Sequence, residues 1–162
     1  MVADAGSKSC DSDDWSIDEV SFQELQDPQN PFTVDLFADK ANARLEKFYS
    51  NYFVPQSAGV DALTQDWSGE NCWICPPVKL IIQTVEKIKR SRCSGCLVVP
   101  EWRTANFWPF LFDCSAEVSK PFKFTKKFHP YITQNSGARS ALRGRPKFDM
   151  LAIYFDNHSN SC

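Results

Sequence analysis

The stretch from Asn71 to Pro100 constrains the fold more than any other part of the chain. Asn71 to Cys75 is a short apolar run, and the consecutive prolines Pro76 and Pro77 stop it because neither can donate to a strand ladder. Val78, Ile81, Ile82, Val85 and Ile88 then recur at helical spacing on a segment reaching about Lys89. Cys96 to Pro100 is a second apolar run of strand length. A strand, a helix and a strand in succession imply parallel neighbours joined by a right-handed crossover. Parallel strands must be covered on both faces, so this unit points to an α/β sandwich on a mostly parallel sheet.

The flanking segments extend that architecture. Phe32 to Ala38 reads as a buried strand, and Asp149 to Asp156 as another, entered from a basic stretch. Ser16 followed by Glu19 fits a capping box opening a short helix with Ile17, Val20 and Leu25, ending before Pro28. Lys40 to Tyr49 has helical composition, while Pro55 and Gly59 mark Val54 to Gly59 as a loop. Trp102, Phe107, Trp108, Phe110 and Phe112 predict a core-covering short helix or loop. At 162 residues the chain holds one core, assigned to residues 15–157 between an acidic, disordered leader (1–14) and a tail (158–162).

Charge is unevenly spread although the net value is only -2. Residues 1–27 are acidic, with Lys8 as the one cation. Between Val118 and Phe148 stand Lys120, Lys123, Lys126, Lys127, Arg139, Arg143, Arg145 and Lys147, without an acid. Of these, Lys123, Lys126, Lys127, Arg139, Arg143 and Arg145 are the candidate phosphate contacts, since such side chains displace counterions condensed on nucleic acid. A solvated basic face is the alternative. The start MVADAGSKSC lacks the apolar core of a secretory signal, and no apolar run approaches the ~20 residues of a membrane helix. An intracellular, soluble protein is expected, nuclear or cytoplasmic, with its 7 cysteines reduced.

In open parallel sheets, ligands bind beyond the carboxyl ends of the strands. Three segments qualify. VDLFADKANA (34–43) supplies Asp35, Phe37, Ala38 and Asn42; VDALTQDW (60–67) supplies Asp61 and Asp66, with Leu63 between them; WICPPV (73–78) supplies Cys75, Pro76, Pro77 and Val78. Each has a bland alternative: Asp35 as a helix cap or salt-bridge partner, and the proline pair as helix initiation.

These segments, taken in order, are similar to phage-type DNA N6-adenine methyltransferases. The match continues through LVVP (97–100) and LRGRPKF (142–148) followed by LAIYF, and so spans about Trp15 to Asp156. The resemblance implies a Rossmann-like class I methyltransferase sandwich with S-adenosylmethionine as cofactor and DNA as partner. It implies that Asp35, Phe37, Ala38, Asn42, Asp61 and Leu63 surround the cofactor, and that Cys75 to Val78 face the target adenine. At that loop the family offers Asn, Asp or Ser, a proline carbonyl and an aromatic ring, whereas this chain has Cys75 and Val78. A weak acceptor and a side chain without a π face predict degenerate catalysis. DDWSIDEV, GVDALTQDW and LVVPEWRTANFWPFLF further resemble the segment between ribonuclease H and tyrosine recombinase in DIRS-like retrotransposon polyproteins. That context implies the reverse transcriptase, ribonuclease H and recombinase regions as partners.

Two rival readings stay open. One is an interaction module that binds nucleic acid or protein without turnover. The other is zinc, because Cys72, Cys75, Cys93 and Cys96 have the spacing of a tetrahedral site. Against zinc, Cys72 and Cys75 lie in one predicted strand, where residues three apart point to opposite faces. His129 and His158, the chain's 2 histidines, sit in no catalytic pattern. Trp67 and Trp102 follow strand ends on the ligand side, which makes them candidate stacking groups against a default role in the core.

Overall fold

The computed structural model describes residues 15–38, 43–50, 55–115, 117–129, 132–134 and 148–158. In chain order they form β1 (Trp15–Ile17), α1 (Glu19–Leu25), β2 (Val34–Asp35), β3 (Tyr49–Ser50), β4 (Gly59–Val60) and a 3-10 turn (Ala62–Thr64). There follow β5 (Asn71–Ile74), a second 3-10 turn (Val78–Leu80), α2 (Ile81–Arg90), β6 (Ser94–Pro100) and α3 (Trp108–Leu111). β7 (Phe122–Phe128), β8 (Ile132–Gln134) and β9 (Met150–Asp156) complete the set.

The central sheet has five strands in the order β2-β5-β6-β9-β7. β2, β5 and β6 are mutually parallel, whereas β9 runs antiparallel to both its neighbours. A parallel bridge from Asp35 to Phe48 sets the parallel β3–β4 pair against the free edge of β2. Hydrogen bonds from the Asp35 N–H to the Lys47 carbonyl (2.9 Å) and from the Ala38 N–H to the Tyr49 carbonyl (3.1 Å) reinforce it. The strands therefore line up as β4-β3-β2-β5-β6-β9-β7, and the chain changes direction of progress between β2 and β5. β1 and β8 form a separate antiparallel pair.

Strand alternation divides the core between two faces. Ile74, Leu97, Val99, Leu151 and Ile153 meet α2 and α3 on one face, while Trp73, Val98, Met150 and Ala152 meet α1 on the other. α2 packs through Ile81, Thr84, Val85 and Ile88, one stripe of a 3.6-residue period. Burying each of its three aliphatic side chains is worth about 1.5–3 kcal/mol. Its end is closed by the residue after β9, where the Asn157 side-chain amide donates to the carbonyls of Ile88 (3.1 Å) and Ser91 (2.7 Å). Lys87, Lys89 and Arg90 in the last turn suit the negative end of the helix dipole.

The strand–helix–strand unit, the strand ending at Asp156 and the short helix in the aromatic cluster agree with the sequence reading. Three elements differ. Ser16 lies in β1 and is not a cap; Asp18 caps α1, its carboxylate accepting from the Ser21 N–H at 3.0 Å. Val20 is exposed, and Phe22 with Leu25 forms the buried side. The described part of the expected 40–49 helix is bends followed by β3, because pairing beside β2 outweighs local propensity. Finally, residues 122–128, read only as basic, form an edge strand. The expected leader (1–14) lies outside the described residues.

Candidate functional site

The parallel strands β2, β3, β4, β5 and β6 all end on one rim of the sheet. Strand order reverses between β2 and β5, and open α/β sheets bind ligands at such a switch point. Topology thus brings the three predicted segments to one rim: residues 35–38 from the last residue of β2 onward, 61–63 after β4 and 75–78 after β5. Asn42 lies outside the described residues.

Asp35 is 3% exposed, and its Oδ2 accepts a hydrogen bond of 2.9 Å from the Arg44 N–H. The Arg44 guanidinium turns away to an ion pair with Glu19 at 2.8 Å and donates to the Ile17 carbonyl. Asp35 therefore ties the end of β2 to Arg44 and, through it, to β1 and α1. Phe37 and Ala38 are buried beside it. Arg44 and Glu19 carry no motif; their pairing depends on the path of the chain, so the sequence offers no signal for them.

Asp61 is exposed and holds φ +62°, a left-handed conformation that costs a non-glycine residue on the order of 1–2 kcal/mol. Its carboxylate accepts from the Leu63 N–H at 3.2 Å and its own N–H donates to the Ser50 carbonyl at 2.8 Å. The turn is anchored beneath by Trp67, whose indole N–H donates to the Ala62 carbonyl at 2.8 Å. Trp67 is fully buried, which corrects its reading as a stacking group: the ring serves the core. Trp102, after β6, is half-buried and meets Phe148 edge-on at 5.1 Å.

Cys75, Pro76 and Pro77 are buried, and Val78 is half-buried against both core clusters. Burial, with the Asp35 carboxylate and the Cys96 thiol nearby, pushes the Cys75 thiol well above the usual range, and Arg44 offsets this only in part. The thiol is neutral at physiological pH, a weak donor and a poor acceptor.

The zinc reading fails on geometry. Cys72 and Cys93 sit together on the α2 face, while Cys75 and Cys96 lie on the α1 face. The backbone of the sheet stands between the pairs, so four thiolates cannot meet one ion. Among the described residues, no group of three or more His, Cys, Asp or Glu side chains is arranged to hold a metal.

The basic candidates are split as well. Lys126 pairs with Ala152 and Lys127 with Leu151, so the two point to opposite faces of the edge strand β7. Lys127 forms an ion pair with Glu101 at 3.1 Å, whereas Lys123 and Lys126 border one cleft. Arg139, Arg143 and Arg145 lie outside the described residues. No helix among the described residues is long and apolar enough to cross a membrane.

No curated protein matches the chain. The family model for DNA N-6-adenine-methyltransferase (Dam) matches residues 5–118, from ahead of β1 to beyond α3, and thereby includes all three rim segments. Since that match takes in more than two thirds of the sequence, the chain belongs to the DNA N-6-adenine-methyltransferase (Dam) family.

Proposed function

We propose that this chain is a class I, Rossmann-like methyltransferase domain that binds S-adenosylmethionine and DNA but has lost most methyl transfer. The observation that carries the reading is the convergence of the ends of β2, β4 and β5 on the rim where strand order reverses, in a chain of this family. The residues there suit the cofactor. An exposed carboxylate at Asp61 can accept from hydroxyl or amino groups, and half-buried Leu63 offers apolar surface for an adenosine moiety, while Phe37 and Ala38 are buried beside Asp35. Asn42 belongs to the same set by sequence position. Asp35 shapes the site through Arg44.

When bound, S-adenosylmethionine supplies an electrophilic methyl group. The chain's own task is to hold an adenine amino group, a poor nucleophile, with acceptors for its hydrogens and a ring to clamp the base. Pro76 retains a carbonyl acceptor in that loop. Cys75 presents a neutral, buried thiol where a strong acceptor is needed, and Val78 cannot stack. Loss of one strong acceptor costs roughly 3–4 kcal/mol of transition-state stabilisation, a factor of hundreds in rate. A non-catalytic binding module on the same fold is the reading that the buried thiol favours next.

The resemblance to DIRS-like polyproteins adds a provenance: a retroelement product that works inside the cell, in nucleus or cytoplasm, beside reverse transcriptase, ribonuclease H and tyrosine recombinase. Calorimetric titration with S-adenosylmethionine and transfer of tritiated methyl groups to adenine-containing DNA test the proposal together. Cofactor binding with transfer near background is expected. Absence of heat or thermal stabilisation at millimolar cofactor would remove the cofactor site, and efficient transfer would overturn the claim of degeneracy.

A further inference from the structure

A cleft of about 550 Å³ lies at the other rim of the sheet, bordered by the first residues of β5, β6 and β7 and the last of β9. The end of α1 and the residues after it form the facing wall. β6 is 7 residues long, which sets this cleft about 20 Å from the carboxyl-end rim. Its size falls within the range of small-molecule sites.

Phe124 is the unusual element. It is 57% exposed on an edge strand, with its ring stacked on Tyr154 at 4.6 Å and 18° between planes. Tyr154 is held in turn by a hydrogen bond of 2.9 Å from its hydroxyl to the Leu25 carbonyl. A flat ring supported from behind, with its front exposed, is a rigid platform for another planar ring. Lys126 and Lys123, the latter the unpaired residue of a bulge between Phe122 and Phe124, both line the cleft from this strand. Asp27, Asp156 and His158 also line it, and His158 Nε2 lies 3.1 Å from the Ser94 hydroxyl.

The combination narrows the ligand. A plain polyanion has no use for the carboxylates or the aromatic face, and an apolar molecule has none for the lysines. A nucleotide uses all three: base on the ring, phosphate on the cations, and amino or hydroxyl groups on the acids. We propose that this cleft binds one unpaired nucleotide, its base stacked on Phe124 and its phosphate between Lys123 and Lys126. The proposal goes beyond the function above, because this contact is remote from the methyl-transfer rim and independent of it. The nucleotide has two sources, a single strand of nucleic acid or a free mononucleotide.

The full chain, its variants Phe124→Ala, Phe124→Trp and Lys126→Gln, and three probes test it. The probes are a short fluorescein-labelled single strand, its duplex, and adenosine monophosphate. Single-strand affinity should fall roughly tenfold in Phe124→Ala and persist in Phe124→Trp, with the duplex binding more weakly than the strand. Lys126→Gln should lower the salt slope of strand binding by about one. Phe124-dependent binding of adenosine monophosphate alone would assign the free nucleotide as the source. Unchanged affinity in Phe124→Ala for both strand and mononucleotide, or no binding of either by the parent chain, overturns the proposal. Titration of each variant with S-adenosylmethionine should match the parent, and a failure confined to that titration sinks the other site instead.

Discussion

The buried carboxylate of Asp35 accepts a hydrogen bond of 2.9 Å from the backbone N–H of Arg44. This contact joins the end of β2 to the residues that lead into β3, alongside the backbone bonds to Lys47 and Tyr49. Replacing Asp35 by Ala leaves a part-buried N–H without that acceptor, and a loss of about 1–3 kcal/mol is expected. Asp35→Asn keeps an acceptor oxygen and should lose less. Urea unfolding midpoints measure the difference, and cofactor affinity should fall in the same order.

Asp61 is strained at φ +62°. Glycine accepts that conformation freely, so Asp61→Gly should match or exceed the parent in stability, by up to about 1 kcal/mol, despite losing the bond to the Leu63 N–H. Cofactor affinity should drop nonetheless. Stability retained with binding lost is the signature of strain kept for function, and thermal melts paired with calorimetry read both.

Gly95 pairs with Cys72 across β5 and β6, at φ +153°. A Cβ there would stand 2.1 Å from the Cys72 carbonyl oxygen, which is backbone and cannot swing aside. Gly95→Ala should destabilise the chain by roughly 1–3 kcal/mol or prevent folding, as overpacking of a well-filled core does. Soluble yield and denaturant midpoint provide the check.

Restoring the motif should restore chemistry. Cys75→Asn with Val78→Phe supplies an acceptor and a ring at the loop after β5. Tritiated methyl transfer to DNA should rise well above the parent chain. Burial of the new amide against the α1-side cluster should cost about 1–3 kcal/mol, visible as a lower melting temperature.

Thiol reactivity separates the cysteines. Among the described residues Cys114 is exposed, while Cys72, Cys75, Cys93 and Cys96 are buried. A hydrogen bond between Cys72 and Cys93, together with burial, pushes the Cys72 thiol far above its usual range, and burial does the same to Cys96. Native alkylation followed by mass spectrometry should label Cys114 and spare those four until denaturant is added. Chelators should leave the melting temperature unchanged.

Much of the frame is legible in the residues themselves. The proline pair after Ile74, the stripe from Ile81 to Ile88 and the apolar run ending at Pro100 place β5, α2 and β6, because a strand–helix–strand unit writes its period into nearby residues. Opposite faces for Cys72 and Cys75 likewise follow from strand alternation alone. Local pattern failed at 43–50, where β3 forms because β2 offers an open edge, and at 122–128, where β9 recruits a basic strand. It failed too at Trp67, a core residue although it follows a strand end on the ligand side.

What the sequence determined by itself is the α/β class and the succession of β2, β5, α2, β6 and β9, since each rests on residues close together in the chain. The tertiary structure alone decided the reversal of strand order between β2 and β5, the pairing of Asp35 with Arg44 and the cleft around Phe124. Those depend on which distant strands become neighbours, and that choice is made by burying apolar faces and satisfying backbone edges across the whole molecule.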